Sequence, residues 1–306
     1  MHGKHGGRVL RLLVTGANGQ LGQELAELCG SRALAATLVS KSSCDITNKE
    51  QVVSTINATR PTVIVNAAAY TQVDGAESAS ELSFRINRDG AKILADASAT
   101  AGIPLIHFST DYVFDGAKPA PYTEQDEVKP LGVYGRSKEA GEREVRQRHP
   151  HHVILRTAWV YGRFGRNFLK TMVTLATTRE TWGVVSDQIG TPTATEDIAQ
   201  AVLCVATQAS TGKACWGTFH FAGSAEGSWH AFASDIMAAQ EKHTGRTPKI
   251  LALATKEYPT VARRPQNSRL NSDLFAATFG YRAKPWHERV PLIVDALLAN
   301  GQERRQ

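Results

Sequence analysis

A chain of 306 residues, 42% hydrophobic and 21% charged, has room for one large α/β unit with a smaller lobe appended, and its composition excludes a disordered or low-complexity protein. Its 35 Lys+Arg against 29 Asp+Glu give +6, but the basic residues are scattered, in short clusters such as Arg143 to Arg148 and Arg304–Arg305, without zinc-finger spacing or an RNA-binding aromatic signature, so nucleic acid is excluded as a partner. The apolar run behind the polar opening Met1 to Arg8 is too short for a signal peptide or a membrane span, and Cys29, Cys44, Cys204 and Cys215 read as buried small hydrophobes in a reducing compartment, so a cytoplasmic protein without membrane attachment is expected.

Val9 to Thr15 is a short aliphatic run with a glycine turn behind it, the pattern of a strand buried on both faces of a parallel sheet. Helix Gln20 to Cys29 follows, with Leu21, Leu25 and Leu28 at helical spacing and Gly30 as its stop. The alternation repeats as strand Leu34 to Ser40, helix Asn48 to Ala58, strand Thr62 to Asn66, helix Glu81 to Ala101 and strand Pro104 to Ser109. After a loop rich in Pro, Gly and Asp come helix Tyr134 to Arg148 and strand Val153 to Thr157. This βαβ series predicts a doubly wound parallel sheet of about six strands, a Rossmann domain over residues 8–162.

Beyond Tyr161 the order is less regular. Helices at about Asn167 to Thr178, Thr195 to Gln208, Ser228 to His243 and His287 to Asn300 alternate with short strands at Gly183 to Ser186, Thr218 to Ala222 and Lys249 to Ala252. Residues 163–302 are therefore expected to form a smaller C-terminal α/β substrate lobe with crossovers back to the first domain.

Gly16-Ala17-Asn18-Gly19-Gln20-Leu21-Gly22 lies between the first strand and the first helix, where a dinucleotide fingerprint belongs. Gly16 suits the tight turn, Gly19 a close approach to the pyrophosphate, and Gly22 close packing of helix on sheet. The glycine spacing points to the short-chain dehydrogenase group. The second strand ends in Ser40-Lys41-Ser42 rather than an acid, with Asp45-Ile46 beyond it near the adenine, and a cation there tolerates a 2′-phosphate; NADPH is favoured, with NADH also acceptable. Asn66-Ala67-Ala68-Ala69-Tyr70-Thr71 closes the third strand with small residues against which a cofactor can lie.

Tyr134-Gly135-Arg136-Ser137-Lys138 is a Y-x-x-x-K at the start of a helix, with both side chains on one face. A neighbouring ammonium is expected to lower the tyrosine's pKa, so that Tyr134 donates a proton to a carbonyl oxygen while Lys138 tunes it and holds the nicotinamide ribose. The third partner belongs at the end of the fourth strand, Phe108-Ser109-Thr110-Asp111-Tyr112, where Ser109 and Thr110 compete to bond the substrate carbonyl and Asp111 is either a contact or a loop cap.

With Ser109-Thr-Asp-Tyr-Val-Phe-Asp-Gly116, Leu155-Arg-Thr-Ala-Trp-Val-Tyr-Gly162 and Asp187-Gln-Ile-Gly-Thr-Pro-Thr193, these segments together resemble the dTDP-4-dehydrorhamnose reductase family of extended short-chain dehydrogenases, from about Leu10 to the C-terminal helix. The resemblance implies NAD(P)H-dependent reduction of the 4-keto group of dTDP-4-dehydro-β-L-rhamnose, a dTDP-4-keto-6-deoxy sugar, to dTDP-β-L-rhamnose in nucleotide-sugar biosynthesis for polysaccharide. It implies the triad Thr110, Tyr134 and Lys138, cofactor contacts at Gly19, Gln20, Leu21, Asp45, Ile46, Ala69, Tyr70 and Thr71, and substrate contacts at Asp111 and Trp159. Arg264-Pro265-x-x-Ser268-x-Leu270 is similar to the family's substrate-side loop, with Arg263 or Arg264 toward the diphosphate. The chain departs from the pattern at Tyr70, where many members carry histidine, and at Phe108, where tyrosine is frequent. Some members dimerise through Mg²⁺ held by glutamates; Glu24 and Glu196 fall at two such places without a matching third, so no metal ligand is assigned and Mg²⁺ and the choice of monomer or homodimer stay open. The rival readings are a reductase of another nucleotide 4-keto-deoxysugar and a non-catalytic NADP-binding regulatory subunit.

Overall fold

The computed structural model describes residues 9–303; the opening Met1 to Arg8, with the expected domain start, and the Arg304–Arg305 pair lie outside the described residues. A strand covered on both faces must be apolar at successive positions, and β1 (Arg11–Thr15) buries Leu12, Leu13, Val14 and Thr15 in a row. Successive side chains point to opposite faces. Leu12 and Val14 join one core cluster with Leu25 of α1 (Gln20–Ser31), while Leu13 joins the opposite cluster with Val52 and Ile56 of α2 (Lys49–Thr59). Asn48 caps α2 by accepting from the Gln51 N–H at 3.0 Å.

Between these helices lies β2 (Ala35–Val39), and β3 (Val63–Asn66) follows. Where the sequence predicts one helix over Glu81 to Ala101, the chain forms α3 (Val73–Ser78) and α4 (Ser80–Phe84), a π-helical turn at Arg85–Gly90, and then α5 (Ala91–Ala101). The π turn has a tertiary cause. Asn87 on it accepts from the Tyr70 N–H at 2.8 Å and donates to the Tyr70 carbonyl at 3.1 Å and to Ser137 Oγ at 2.9 Å. It thus ties the segment after β3 to α6 (Val133–Arg148), the helix that follows β4 (Leu105–Thr110).

After β5 (His152–Thr157) the chain runs through β6 (Val160–Tyr161), α7 (Phe168–Thr178), β7 (Thr181–Val185), β8 (Ile189–Gly190), β9 (Thr193–Ala194), α8 (Thr195–Ser210) and β10 (Gly217–His220). It ends with β11 (Gly227–Ser228), α9 (Trp229–Thr244), β12 (Lys249–Leu253), α10 (Asp273–Phe279) and α11 (Trp286–Glu303). The main sheet is parallel throughout, in the order β10-β5-β4-β3-β1-β2. Its sixth strand is β10, so the strand expected at Thr218 to Ala222 belongs to this sheet rather than beside it. Helix α8 also returns: Ile198, Val202 and Val205 pack in the same cluster as β1, β3 and β5. A separate cluster containing Leu169, Trp182, Phe232, Ile236, Trp286 and Val290 holds α7, β7, α9 and α11 together.

Two neighbours flank β1 from opposite directions of the winding, β3 and β2, which puts the topological switch point at the carboxyl ends of β1 and β3. Among the cysteines, all free, Cys29 and Cys44 are buried as expected, Cys204 is half-buried and Cys215 is exposed in the turn before β10. None of the helices among the described residues is long and apolar enough to cross a membrane.

Candidate active site

A cavity of about 1000 Å³ opens at that switch point. Its floor is built from the fingerprint. Gly16 has φ +79°, and a Cβ on it would lie 2.7 Å from the Ala67 carbonyl oxygen. Gly22 does not line the cavity; a Cβ there would lie 2.3 Å from the Gly16 carbonyl oxygen, so its absence lets α1 close on the turn. The N–H of Gly19 donates to the Gly16 carbonyl at 2.9 Å, and Gly19 starts α1 without a side-chain cap. Asn18, Gly19, Gln20 and Leu21 therefore offer the cavity a helix N-terminus with unpaired first-turn N–H groups.

Beneath the floor a buried chain of bonds crosses three adjacent strands. Thr15 donates to Asn66 Oδ1 at 2.8 Å, and Asn66 Nδ2 meets His107 Nδ1 at 3.0 Å. Burial, and secondarily Lys138, holds the His107 imidazole neutral, well below its ordinary pKa. Ala67, Ala68, Ala69 and Thr71 line the cavity above it. Tyr70 does not: both its backbone groups are bonded to Asn87, and its hydroxyl lies 2.9 Å from where a Cβ of Gly75 would stand.

At the end of β2 the cavity is bordered by Ser40, Lys41, Asp45 and Ile46, joined by Arg85 from the π turn. Burial alone would raise the Asp45 pKa, but bonds from the Thr47 N–H (2.9 Å) and hydroxyl (2.8 Å), with Lys41 and Arg85 nearby, hold it below the usual carboxylate value. Sequence reasoning missed Arg85, which belongs to no motif and was read only as part of a helix; it opens the π turn and lines the cleft.

Phe108, Thr110, Asp111, Tyr134, Lys138 and Trp159 meet on the opposite wall. Lys138 donates to the Phe108 carbonyl at 2.5 Å, and burial pulls its pKa down to about 8 against the pull of Glu142. Tyr134 moves the other way. Burial of its hydroxyl raises its pKa well above the ordinary value, opposed by the neighbouring Thr110 hydroxyl and reinforced by Asp111. The expectation that the lysine would lower the tyrosine's pKa is thus reversed in direction, while the proton that Tyr134 was expected to donate stays on it: the ammonium is bonded to a backbone carbonyl. Of the two competing hydroxyls, that of Thr110 lies beside Tyr134, while Ser109 lies by the buried Glu142. The Thr110 hydroxyl donates to Asp111 Oδ1 at 2.9 Å; Asp111 Oδ2 has no hydrogen-bond partner among the described residues, and burial raises this carboxyl's pKa to about 7.

The remaining wall is aromatic and braced by side chains. Trp159 has φ +46°, donates from Nε1 to Ser268 Oγ at 2.9 Å, and stacks on Trp229 with centroids 3.5 Å apart and planes 5° from parallel. Arg264 lines the cavity, whereas Arg263 does not; its guanidinium donates to the Tyr112 hydroxyl and to Asp74 Oδ2, each at 2.9 Å. Trp229, Phe168 and Arg166 also line it and were not foreseen, since they sit in no motif and reach the cleft only through the packing of α7 and α9. Glu24 and Glu196, weighed as metal ligands, are matched instead by arginines: Arg163 stands 3.3 Å from Glu24 and Arg289 3.0 Å from Glu196. Among the described residues no group of three or more His, Cys, Asp or Glu side chains is placed to hold a metal ion.

The family model for the RmlD substrate binding domain matches residues 10–299. The curated dTDP-4-dehydrorhamnose reductase of Sinorhizobium fredii is 46% identical over 296 residues, spanning 96% of this chain and all of that one. The crystal structure of a dTDP-4-dehydrorhamnose reductase from Clostridium acetobutylicum superposes with a TM-score of 0.88 at 38% identity, over 94% of this chain and 99% of the other. The enzyme of that name from Bacillus anthracis, solved in complex with NADP, gives 0.86 at 35% identity, over 93% and 98%.

Proposed function

The chain belongs to the RmlD family of dTDP-4-dehydrorhamnose reductases, and on that premise we propose that its cleft reduces the 4-keto group of dTDP-4-dehydro-β-L-rhamnose to dTDP-β-L-rhamnose with NADPH. The observation that carries this reading is the meeting of Thr110, Tyr134 and Lys138 on one wall of a cavity whose floor is a glycine turn no Cβ could enter. That turn and the uncapped start of α1 suit a pyrophosphate. Lys41 and Arg85, beside the Asp45 carboxylate that Thr47 already occupies, suit a 2′-phosphate, which favours NADPH over NADH. Residues 8–162 would hold cofactor and reacting groups, and residues 163–302 would supply the substrate side as well as α8 and β10. Such a reaction belongs in the cytoplasm, where nucleotide sugars and reduced nicotinamide are made.

Bound reduced nicotinamide supplies the hydride for C4. The protein's part is the proton. Tyr134, held protonated by burial, donates to the carbonyl oxygen as negative charge develops there, and Thr110, its hydroxyl turned from Asp111 to the substrate, steadies that oxygen from the other side. Lys138, poised at about 8 and bonded to the Phe108 carbonyl, is still largely charged at neutral pH and returns a proton to Tyr134. Asp111, buried beside Thr110, offers its unpaired second oxygen to a sugar hydroxyl, and the Trp159–Trp229 stack gives the nucleotide sugar a flat apolar surface.

The test is NADPH oxidation by purified protein with dTDP-4-dehydro-6-deoxyglucose, with and without a 3,5-epimerase. Oxidation that requires the epimerase is the expected result. Oxidation without it would replace the substrate by another 4-ketosugar, and none at all would favour a non-catalytic NADP-binding subunit.

A further inference from the structure

Five cationic side chains line the cleft: Lys41, Arg85, Lys138, Arg166 and Arg264. Four have partners in the scheme above. Lys138 is bonded to Phe108, Arg264 to Asp74 and Tyr112, and Lys41 and Arg85 act on Asp45 at the end of β2. Arg166 is exposed and has neither ion pair nor hydrogen bond to another described residue.

Its position is fixed even though its head group is not engaged. The segment before α7 crosses directly over the start of α1: Gly165 has φ +64°, and a Cβ there would lie 2.8 Å from Gln20 Cγ. Asn167 donates from Nδ2 to Gln20 Oε1 at 3.0 Å and to the Gly162 carbonyl at 2.8 Å, while its Oδ1 caps α7 by accepting from the Lys170 N–H. Arg163, three residues earlier, is turned the other way, to Glu24 and Glu27. Arg166 is therefore held between two locked neighbours, facing the cavity beside the first residue of α1.

The fingerprint itself contains no charged side chain; Asn18 and Gln20 are neutral, and the turn offers only backbone N–H groups. A dinucleotide pyrophosphate carries two negative charges to that turn, and a guanidinium can hold phosphate oxygens in bidentate fashion. We propose that Arg166, supplied by the loop between β6 and α7, closes over the cofactor pyrophosphate and is the charged half of its binding site. This rests on the dinucleotide reading above. It assigns the loop a different ligand from the substrate-side wall formed by Trp159 and Trp229.

The pyrophosphate is common to both nicotinamide cofactors, so Arg166→Ala in the full chain is expected to weaken NADPH and NADH alike, by roughly tenfold, measured by fluorescence titration without sugar. Its affinity for dTDP should stay the same, and Arg166→Lys should recover part of the loss. The residue is exposed, so the variants should fold as the parent does. Unchanged NADPH affinity in Arg166→Ala would overturn the proposal. A loss confined to dTDP would also overturn it, by moving the residue to the sugar-nucleotide diphosphate. If the parent protein itself bound neither cofactor, the dinucleotide reading would fall first and this inference with it.

Discussion

The two long walls of the cleft are made by different means. On the side proposed for the cofactor the surface is backbone and small residues: Gly16, Gly19, Ala67, Ala68 and Ala69 sit on strand ends and a helix start that the sheet already holds, with the Thr15–Asn66–His107 chain locking them from below. On the substrate side the surface is large side chains on loops, braced by other side chains, as Trp159 is by Ser268 and Trp229 and Arg264 by Asp74 and Tyr112. The first wall is sensitive to added atoms, because its neighbours are backbone. The second is sensitive to removed ones.

Variants can break that contrast. The groups proposed to react stand where the walls meet, and there the effect should be largest: Tyr134→Phe is expected to lower kcat by roughly 10² to 10⁴ while leaving NADPH affinity near that of the parent. Normal turnover in this variant would remove Tyr134 as the acid. In the parent the rate of reduction should fall as pH rises through about 8, because Lys138 then loses the proton it must return. A flat profile between pH 7 and pH 9 would contradict that role.

Gly22→Ala tests the first wall. Its Cβ would stand 2.3 Å from the Gly16 carbonyl oxygen and 2.7 Å from Ala17 Cα, atoms that cannot move without opening the turn. We expect a loss of about 1–3 kcal/mol in stability, read by denaturant unfolding, together with weakened cofactor binding. Trp229→Ala tests the second wall: the KM for the sugar nucleotide should rise by roughly tenfold, with NADPH affinity unchanged, as the stacked pair is lost. A matching loss in NADPH affinity would mean that the walls are not independent. The smallest effect is at the cofactor's far end, where Lys41→Asp should weaken NADPH several-fold more than NADH, since an exposed ion pair is worth only about 1 kcal/mol. Equal effects on both cofactors would remove Lys41 from any 2′-phosphate site.

Most of the cofactor wall was legible in the sequence because it is local. A buried aliphatic strand, a glycine turn and an amphipathic helix are consecutive, so Gly16 to Gly22 names the turn, the approach and the packing contact before any tertiary structure is known. Tyr134 and Lys138 were legible for the same reason, being one helical turn apart. The substrate wall was less so. Trp159 and Arg264 were reachable through resemblance to a family, but Trp229 belongs to no motif and lies far along the chain from the groups it joins, and the same distance hid Arg166 beside the glycine turn.

The sequence by itself determined the alternation of strands and helices, the fingerprint and the spacing of Tyr134 and Lys138, because each depends on residues close together in the chain. Only the tertiary structure decided three other things. It recruited β10 and α8 from the second half to complete the sheet and its cover, since an apolar strand can pair with any open edge. It broke the expected long helix at a π turn so that Asn87 could hold Tyr70 and Arg85 could reach the cleft. It also turned the Tyr134 pKa upward, because desolvation depends on what packs around a hydroxyl and not on the lysine four residues away.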